Sequence, residues 1–336
     1  MSRVVHSEPV PRLQGTFMQL SVSQQWTAPR LNRLFLDFKR LGLSTIIIQR
    51  SVVGTKAFYA SHAFESMQEP PLEAILQYAD EFGLTVRVGL AEDPEFWDRI
   101  KLASPPDEVE TYLRSLRERS LNAARELVPV VSRHRSFGGW FVTEEVDDVN
   151  WLQAERRVLL HEHLRDLAET LRSELWASVA ISGFSNAHCA PSTLEAFWRD
   201  IVDGTGIDLV LFQDGIGAHK LEVASAGQYL AAMKRAAIGS GRALSVVVEL
   251  FDQVAGPPVS NAPFRAVATG IDRLTQQLSL ARDASTVGII AFSVPDYMVP
   301  GAGPSALQLF TDYTTLTSGV IKGNDPKPGA ITAVRP

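Results

Sequence analysis

Cysteine is almost missing from this chain: Cys189 stands alone in 336 residues. No internal disulfide and no cysteine-based metal site can therefore form. Long apolar runs are missing too, and none approaches the ~20 residues that a membrane-crossing helix needs. The N-terminus, Met1-Ser2-Arg3-Val4-Val5-His6-Ser7-Glu8-Pro9, has no apolar stretch of signal-peptide length. The chain as written is expected to be cytoplasmic, and periplasmic or secreted if a leader has been removed. No basic stripe is present either. Lys and Arg number 32 against 38 Asp and Glu, a net charge of −6, and basic runs such as Arg114-Ser115-Leu116-Arg117-Glu118-Arg119 have acids close by. Such a balance speaks against nucleic acid as a partner.

Several motifs are absent or fail on geometry. No G-x-G-x-x-G follows the first strand-like run, and Gly215-Ile216-Gly217 is too short to cradle a phosphate. Ser182-Gly183-Phe184-Ser185 lacks the nucleophile elbow of serine hydrolases. His161-Glu162-His163 sets its histidines two apart on a helix, where they face different ways, unlike the i, i+4 pair of a zinc protease. No metal or other cofactor is expected.

What the chain does have is alternation. Hydrophobic residues make up 45% and charged residues 21%, enough apolar material for a large core. Short β-branched runs over 13–20, 44–49, 85–90, 138–145, 176–182, 207–212, 243–250 and 286–293 alternate with amphipathic segments. In the first of these helices Thr27 is the expected N-cap, Pro29 lies in the first turn, Leu31, Leu34, Phe35, Phe38 and Leu41 form the apolar stripe, and Gly42 is the stop. Ser192-Thr193-Leu194-Glu195 reads as a capping box, and 263–282 reads as the seventh helix. Eight strands and eight helices without a long interruption predict an α/β chain folded as a closed (β/α)8 TIM barrel, a single domain over 12–317. An N-terminal extension (1–11) and a flexible Gly- and Pro-containing tail (318–336) flank it.

In such a barrel the C-terminal strand ends converge on one mouth. Gly139-Trp140-Phe141-Val142-Thr143-Glu144-Glu145 ends the fourth strand in carboxylates, and Ser245-Val246-Val247-Val248-Glu249 ends the seventh in one. Glycoside cleavage needs one carboxyl that gives a proton to the leaving oxygen and another, ionised, that attacks the anomeric carbon or activates water. Glu145 suits the acid/base role and Glu249 that of nucleophile. Glu144 is the rival acid, because strand neighbours point oppositely and a bulge could exchange them. Glu144, Glu145, Asp147 and Asp148 could equally form a solvated acidic loop. Gln19, Gln49, Arg50, Gln213 and Asp214 fall at other strand ends as hydroxyl-binding groups, although Asp214 could instead cap its loop. Among the rim aromatics, which include Trp26, Trp97, Trp140 and the candidate sugar contact Phe251, the better platforms for a sugar ring are Trp151 and Tyr297.

The spaced set Gly15-Thr16-Phe17-Met18-Gln19, Ile47-Ile48-Gln49, Ala79-Asp80-Glu81-Phe82-Gly83-Leu84, Gly139 to Glu145, Phe212-Gln213-Asp214-Gly215-Ile216-Gly217 and Val248-Glu249-Leu250-Phe251 resembles a bacterial group. These are the glycoside-hydrolase-like barrels grouped as domain of unknown function 4434, and the likeness runs over about 12–316. The resemblance implies a TIM barrel related to the large clan of retaining glycosidases, with the acid/base after strand four and the nucleophile after strand seven. By position these are Glu145 and Glu249. The clan usually places Asn before the acid/base, and this chain has Glu144 there.

The expected activity is hydrolysis of an oligosaccharide or bacterial exopolysaccharide, with carbohydrate as the partner and with neither nucleic acid nor membrane. A catalytically silent carbohydrate-binding barrel is the alternative, motivated by the Glu144-Glu145 pair. A barrel lyase or isomerase is a further one, but the loops over 252–261 and 294–303 carry few phosphate donors.

Overall fold

The computed structural model describes residues 10–175 and 177–318. The expected N-terminal extension and C-terminal tail lie outside the described residues, apart from residues 10, 11 and 318. Eight parallel strands close into a barrel in chain order: β1 (Gly15–Met18), β2 (Thr45–Ile48), β3 (Thr85–Gly89), β4 (Phe137–Val146), β5 (Val179–Gly183), β6 (Leu209–Gln213), β7 (Ala243–Glu249) and β8 (Gly288–Phe292), with β8 returning to β1. The main helices that follow them are α1 (Ala28–Leu41), α2 (Leu72–Phe82), α3 (Pro106–Val131), α4 (Ala154–Leu175), α5 (Pro191–Val202), α6 (Val223–Gly239), α7 (Ile271–Ala284) and α8 (Pro304–Thr317). This is the (β/α)8 TIM barrel that the alternation predicts.

Strand periodicity sorts side chains into two layers. In β7, Leu244, Val246 and Val248 pack outward under the helices, and Val247 points into the barrel. The interior is filled by Phe17, Ile47, Phe141, Leu211, Val247 and Ile290 with their neighbours. Each fully buried aliphatic side chain contributes roughly 1.5–3 kcal/mol. In α1, Leu31, Leu34, Phe35, Phe38 and Leu41 are all buried, and Gly42 stops the helix in the left-handed region at φ 75°. The two ends of the barrel are tied where Leu13 N–H donates to the Tyr313 hydroxyl at 2.8 Å.

Two local expectations are corrected, and one small sheet is added. Residues 263–268 are not the start of a helix. Phe251–Ala255 and Arg265–Ala268 pair as an antiparallel hairpin after β7, and α7 begins at Ile271 behind Gly270. An alternating Arg265-Ala266-Val267-Ala268 suits a ribbon better than a helix face. The capping box at Ser192 does not form: α5 starts one residue earlier on Pro191, and Glu195 accepts from Arg199 and Arg235 instead. Short strands at Val52–Val53, Lys56–Ala57, Glu65–Ser66 and Ala91–Glu92 make a small additional sheet, too brief to announce themselves by pattern. Among the described residues no helix is long and apolar enough to cross a membrane.

Gly89 fixes how closely β2 and β3 approach at the mouth. A Cβ there would lie 2.2 Å from the carbonyl oxygen of Gln49. Gly89→Ala must push the Gln49 backbone aside, and should destabilise by about 2 kcal/mol, lowering Tm by roughly 4–6 °C in thermal unfolding. An unchanged Tm would show that the two strands are not held at this separation.

Candidate active site

The end of β4 decides which acid faces the mouth. Val142 is in register with Ile181 and Glu145 with Ser182, so Thr143 and Glu144 form a two-residue bulge. An even insertion preserves the period of two. Phe141 fills the barrel interior, and Glu145 points inward in the same phase. Glu145 accepts a hydrogen bond from Gln213 Nε2, and Gln213 stands in phase with the inward Leu209 and Leu211 of β6. Glu249 ends β7 in phase with Val247 and is 2% exposed. Its Oε2 accepts the Ala218 N–H at 2.8 Å.

The loop that brings Ala218 to Glu249 depends on glycine. Gly215 turns it at φ 66°, and a Cβ on Gly217 would lie 2.9 Å from Glu249 Cβ and 2.3 Å from the Phe251 carbonyl oxygen. Gly215-Ile216-Gly217 cradles a carboxylate here.

Glu144 is turned away from the mouth. Its Oε1 lies 3.0 Å from His163 Nε2 of α4, and both side chains are 1% exposed. The sequence treats His163 only as half of an unsuitable metal pair. In the structure His161 Nε2 meets the Asp203 carbonyl oxygen at 2.8 Å while His163 meets Glu144.

Two expected sugar contacts occupy other positions. Asp214 is 1% exposed, accepts the N–H groups of Ile216 (3.2 Å) and Glu249 (3.4 Å), and accepts from Gln277 Nε2 of α7 at 2.7 Å. It supports Glu249 from beneath, because it is the residue after the inward Gln213. Trp151 is fully buried in the helical layer, with the Arg156 guanidinium 5.5 Å from its ring, and offers no platform. Trp97, in the short helical turn Phe96–Arg99 after β3, is 40% exposed.

The remaining expected residues stand around the rim. Gln49 borders a cavity of about 130 Å³ beside Glu145, together with Trp97, Thr143 and Glu92. Its Oε1 is buried without a partner among the described residues. Arg50 donates to the Leu20 carbonyl oxygen at 3.1 Å and pairs with Glu92. Gln19 Nε2 donates to Asp296 at 3.4 Å. The Phe251 and Tyr297 rings lie 5.4 Å apart. A larger groove of about 770 Å³ runs outside, between α1 and 295–302, away from both strand-end acids.

One group escapes sequence reasoning altogether. Lys220, at the end of the β6 loop, holds its Nζ 2.9 Å from the centre of the Phe184 ring. It is drawn down by burial and supported by Glu145, Glu249, Asp147 and Asp148. Burial raises the Glu145 carboxyl, against the pull of Lys220 and Gln213. Burial also raises Glu249, opposed by Lys220 and by the Ala218 and Gly217 N–H groups. Asp214 is pushed up to about 8 by burial and by the Glu249 charge, so in this pair the proton belongs on Asp214 and the charge on Glu249. The Tyr297 phenol is pushed up to about 12, by burial first and then by Asp296 and Glu249. Among the described residues no group of three or more His, Cys, Asp or Glu side chains is arranged to hold a metal ion.

The family model described as domain of unknown function (DUF4434) matches residues 13–304. The chain belongs to the DUF4434 family. This DUF4434 barrel is 34% identical over 176 residues to the uncharacterized protein YbcH of Escherichia coli (strain K12), a match covering 52% of the chain and 56% of that relative. The chain thus matches little more than half the length of that curated relative. Among solved structures it is similar to a protein of Bacteroides thetaiotaomicron VPI-5482 thought to be an alpha-L-fucosidase, with TM-score 0.75, 18% identity and coverage of 95% and 97% of the two chains. It is also similar to the Bacillus subtilis mannanase BCman, with TM-score 0.51, 11% identity and coverage of 91% and 87%. At these identities the likeness is one of fold.

His163→Ala leaves the buried Glu144 carboxyl without its partner. It should lower the unfolding free energy by roughly 3 kcal/mol in urea titration, whereas Glu144→Gln, which keeps a hydrogen-bonding group, should cost clearly less. Equal losses for the two variants would mean that the pair is not the interaction holding the bulge.

Proposed function

We propose that this DUF4434 barrel is a retaining glycoside hydrolase acting on carbohydrate, with Glu145 as acid/base and Glu249 as nucleophile. The observation that carries the reading is a half-buried carboxyl on β4 and a buried one on β7 facing one mouth, each with a different partner set. Glu145, raised by burial, keeps its proton above the ordinary carboxylate range. It donates that proton to the glycosidic oxygen as the bond to the anomeric carbon breaks. Glu249, whose charged form Lys220 and backbone N–H groups favour against the burial that raises it, forms the bond to that carbon from the opposite face. Water then enters, Glu145 takes its proton, and the glycosyl–Glu249 bond breaks. Gln213 orients Glu145, and Gln277 with Asp214 steadies the strand end that carries Glu249.

The alternative of a silent binding barrel drew on the Glu144-Glu145 pair. With Glu144 engaged by His163 inside the wall, that motive falls away.

Digestion of a glycan panel with product analysis should reveal a cleaved substrate. On it, Glu249→Ala should lose roughly 10³-fold or more in kcat, and Glu145→Gln roughly 10²–10⁴-fold, with activated aryl leaving groups restoring part of the loss in the latter. Wild-type turnover in both variants would refute the assignment. A second prediction concerns pH. The acidic limb of kcat/KM requires Glu249 ionised and the alkaline limb requires Glu145 protonated, and the Lys220 charge lowers both carboxyls. Lys220→Met should therefore move both limbs to higher pH, and a profile that stays in place would contradict the role given to Lys220.

A further inference from the structure

Exposed aromatic rings stand on both sides of the two carboxyls. Trp97 follows β3, and its ring lies 5.8 Å from Phe184 and 5.2 Å from Phe96. It borders the same cavity as Glu145, Thr143 and Gln49, whose buried Oε1 lacks a partner. Across the mouth, the hairpin after β7 and the short helix Val294–Tyr297 after β8 carry a second set. Tyr297, Phe251 and Phe264 form a continuous contact, with ring centres 5.4 and 5.9 Å apart. It runs from the half-buried Tyr297, near enough to Glu249 to feel its charge, through Phe251, which is 5% exposed, to Phe264, which is 58% exposed. In an eight-strand barrel the loops after strands three and seven face each other, so Glu145 and Glu249 lie between Trp97 and Phe264.

A single terminal sugar would need one such surface, closed at its far side. Two open ones, on opposite sides of the reacting bond, fit a chain that passes through. We infer that the mouth binds the interior of a neutral polysaccharide, with Trp97 stacking on a sugar of the leaving-group side and Phe264 on a distal sugar of the glycone side. The sides follow from chemistry: the acid serves the leaving oxygen and the nucleophile serves the anomeric carbon. Pyranose faces are apolar and lie flat on such rings, and the unused Gln49 carbonyl accepts a sugar hydroxyl. Neutrality follows from the charges around the track. Arg50, Arg119 and Arg273 are spent on Glu92, Asp93 and Asp252, and Lys220 stands among four carboxyls, Glu145, Glu249, Asp147 and Asp148. A polyuronate would find each of these cations already matched by a carboxylate, and an excess of acid around Lys220.

This inference rests on the glycosidase reading for its direction but is tested by binding. Native gels cast with glucomannan, xylan, mixed-linkage glucan, pullulan or the anionic alginate measure retention of the full chain. At least one neutral polymer should retard the wild type and alginate should not. Trp97→Ala and Phe264→Ala should each weaken the apparent Kd roughly tenfold, with Trp97→Phe largely restoring it. Both sites are exposed, so Tm should stay constant. Early products from a cleaved polymer should be oligosaccharides. Retention of no neutral polymer, full retention in either Ala variant, or release of monosaccharide alone overturns the inference. Retention lost in both variants without any new reducing ends supports the track and counts against the glycosidase reading instead.

Discussion

Burying carboxyls at a barrel mouth is unfavourable unless each has a partner, and this constraint organises the surroundings of β4 and β7. Glu249 is matched by the Ala218 N–H, Asp214 by two backbone N–H groups and Gln277, Glu145 by Gln213, and Glu144 by His163. The Lys220 ammonium adds one positive charge felt by both inward acids. Because the partners differ, the carboxyls do not respond alike. Burial pushes Asp214 up to about 8, it raises Glu249 against Lys220 and two backbone N–H groups, and it raises Glu145 with only a shared cation and an amide to oppose it. Two like groups with unlike environments are what acid–base division of labour requires.

The fold serves this arrangement through small backbone devices. The even bulge at Thr143 and Glu144 sends one acid inward and the other into the wall without shifting the phase of the strand. Gly217 allows the β6 loop to lie against Glu249, and Gly89 lets the Gln49 backbone cross the end of β3. The same loop then carries Lys220 onto the Phe184 ring.

Much of this could be read from the chain. The eightfold alternation announces the barrel, and the phase of Val247 and Glu249, or Phe141 and Glu145, follows from a period of two. What could not be read depends on contacts distant in sequence. Trp151 looks like a rim residue because it follows β4, yet the loop buries it in the helical layer beside Arg156 of α4. Asp214 reads equally as a mouth acid or as a cap of its loop; it does cap the loop through the Ile216 N–H, while its partner Gln277 arrives from α7. The hairpin over 251–268 escapes because its exposed apolar residues imitate a helix stripe. Lys220 and His163 carry no local signal, since their partners arrive from other βα units.

The central claim is that Glu249 is the nucleophile of a double-displacement reaction. An activated 2-deoxy-2-fluoroglycoside of the sugar released from a cleaved substrate, followed by peptide mapping by mass spectrometry, tests this assignment. A covalent glycosyl adduct on Glu249, formed with loss of activity, is the expected result. An adduct on another carboxyl, or rapid turnover with inverted anomeric configuration and no adduct, would contradict it.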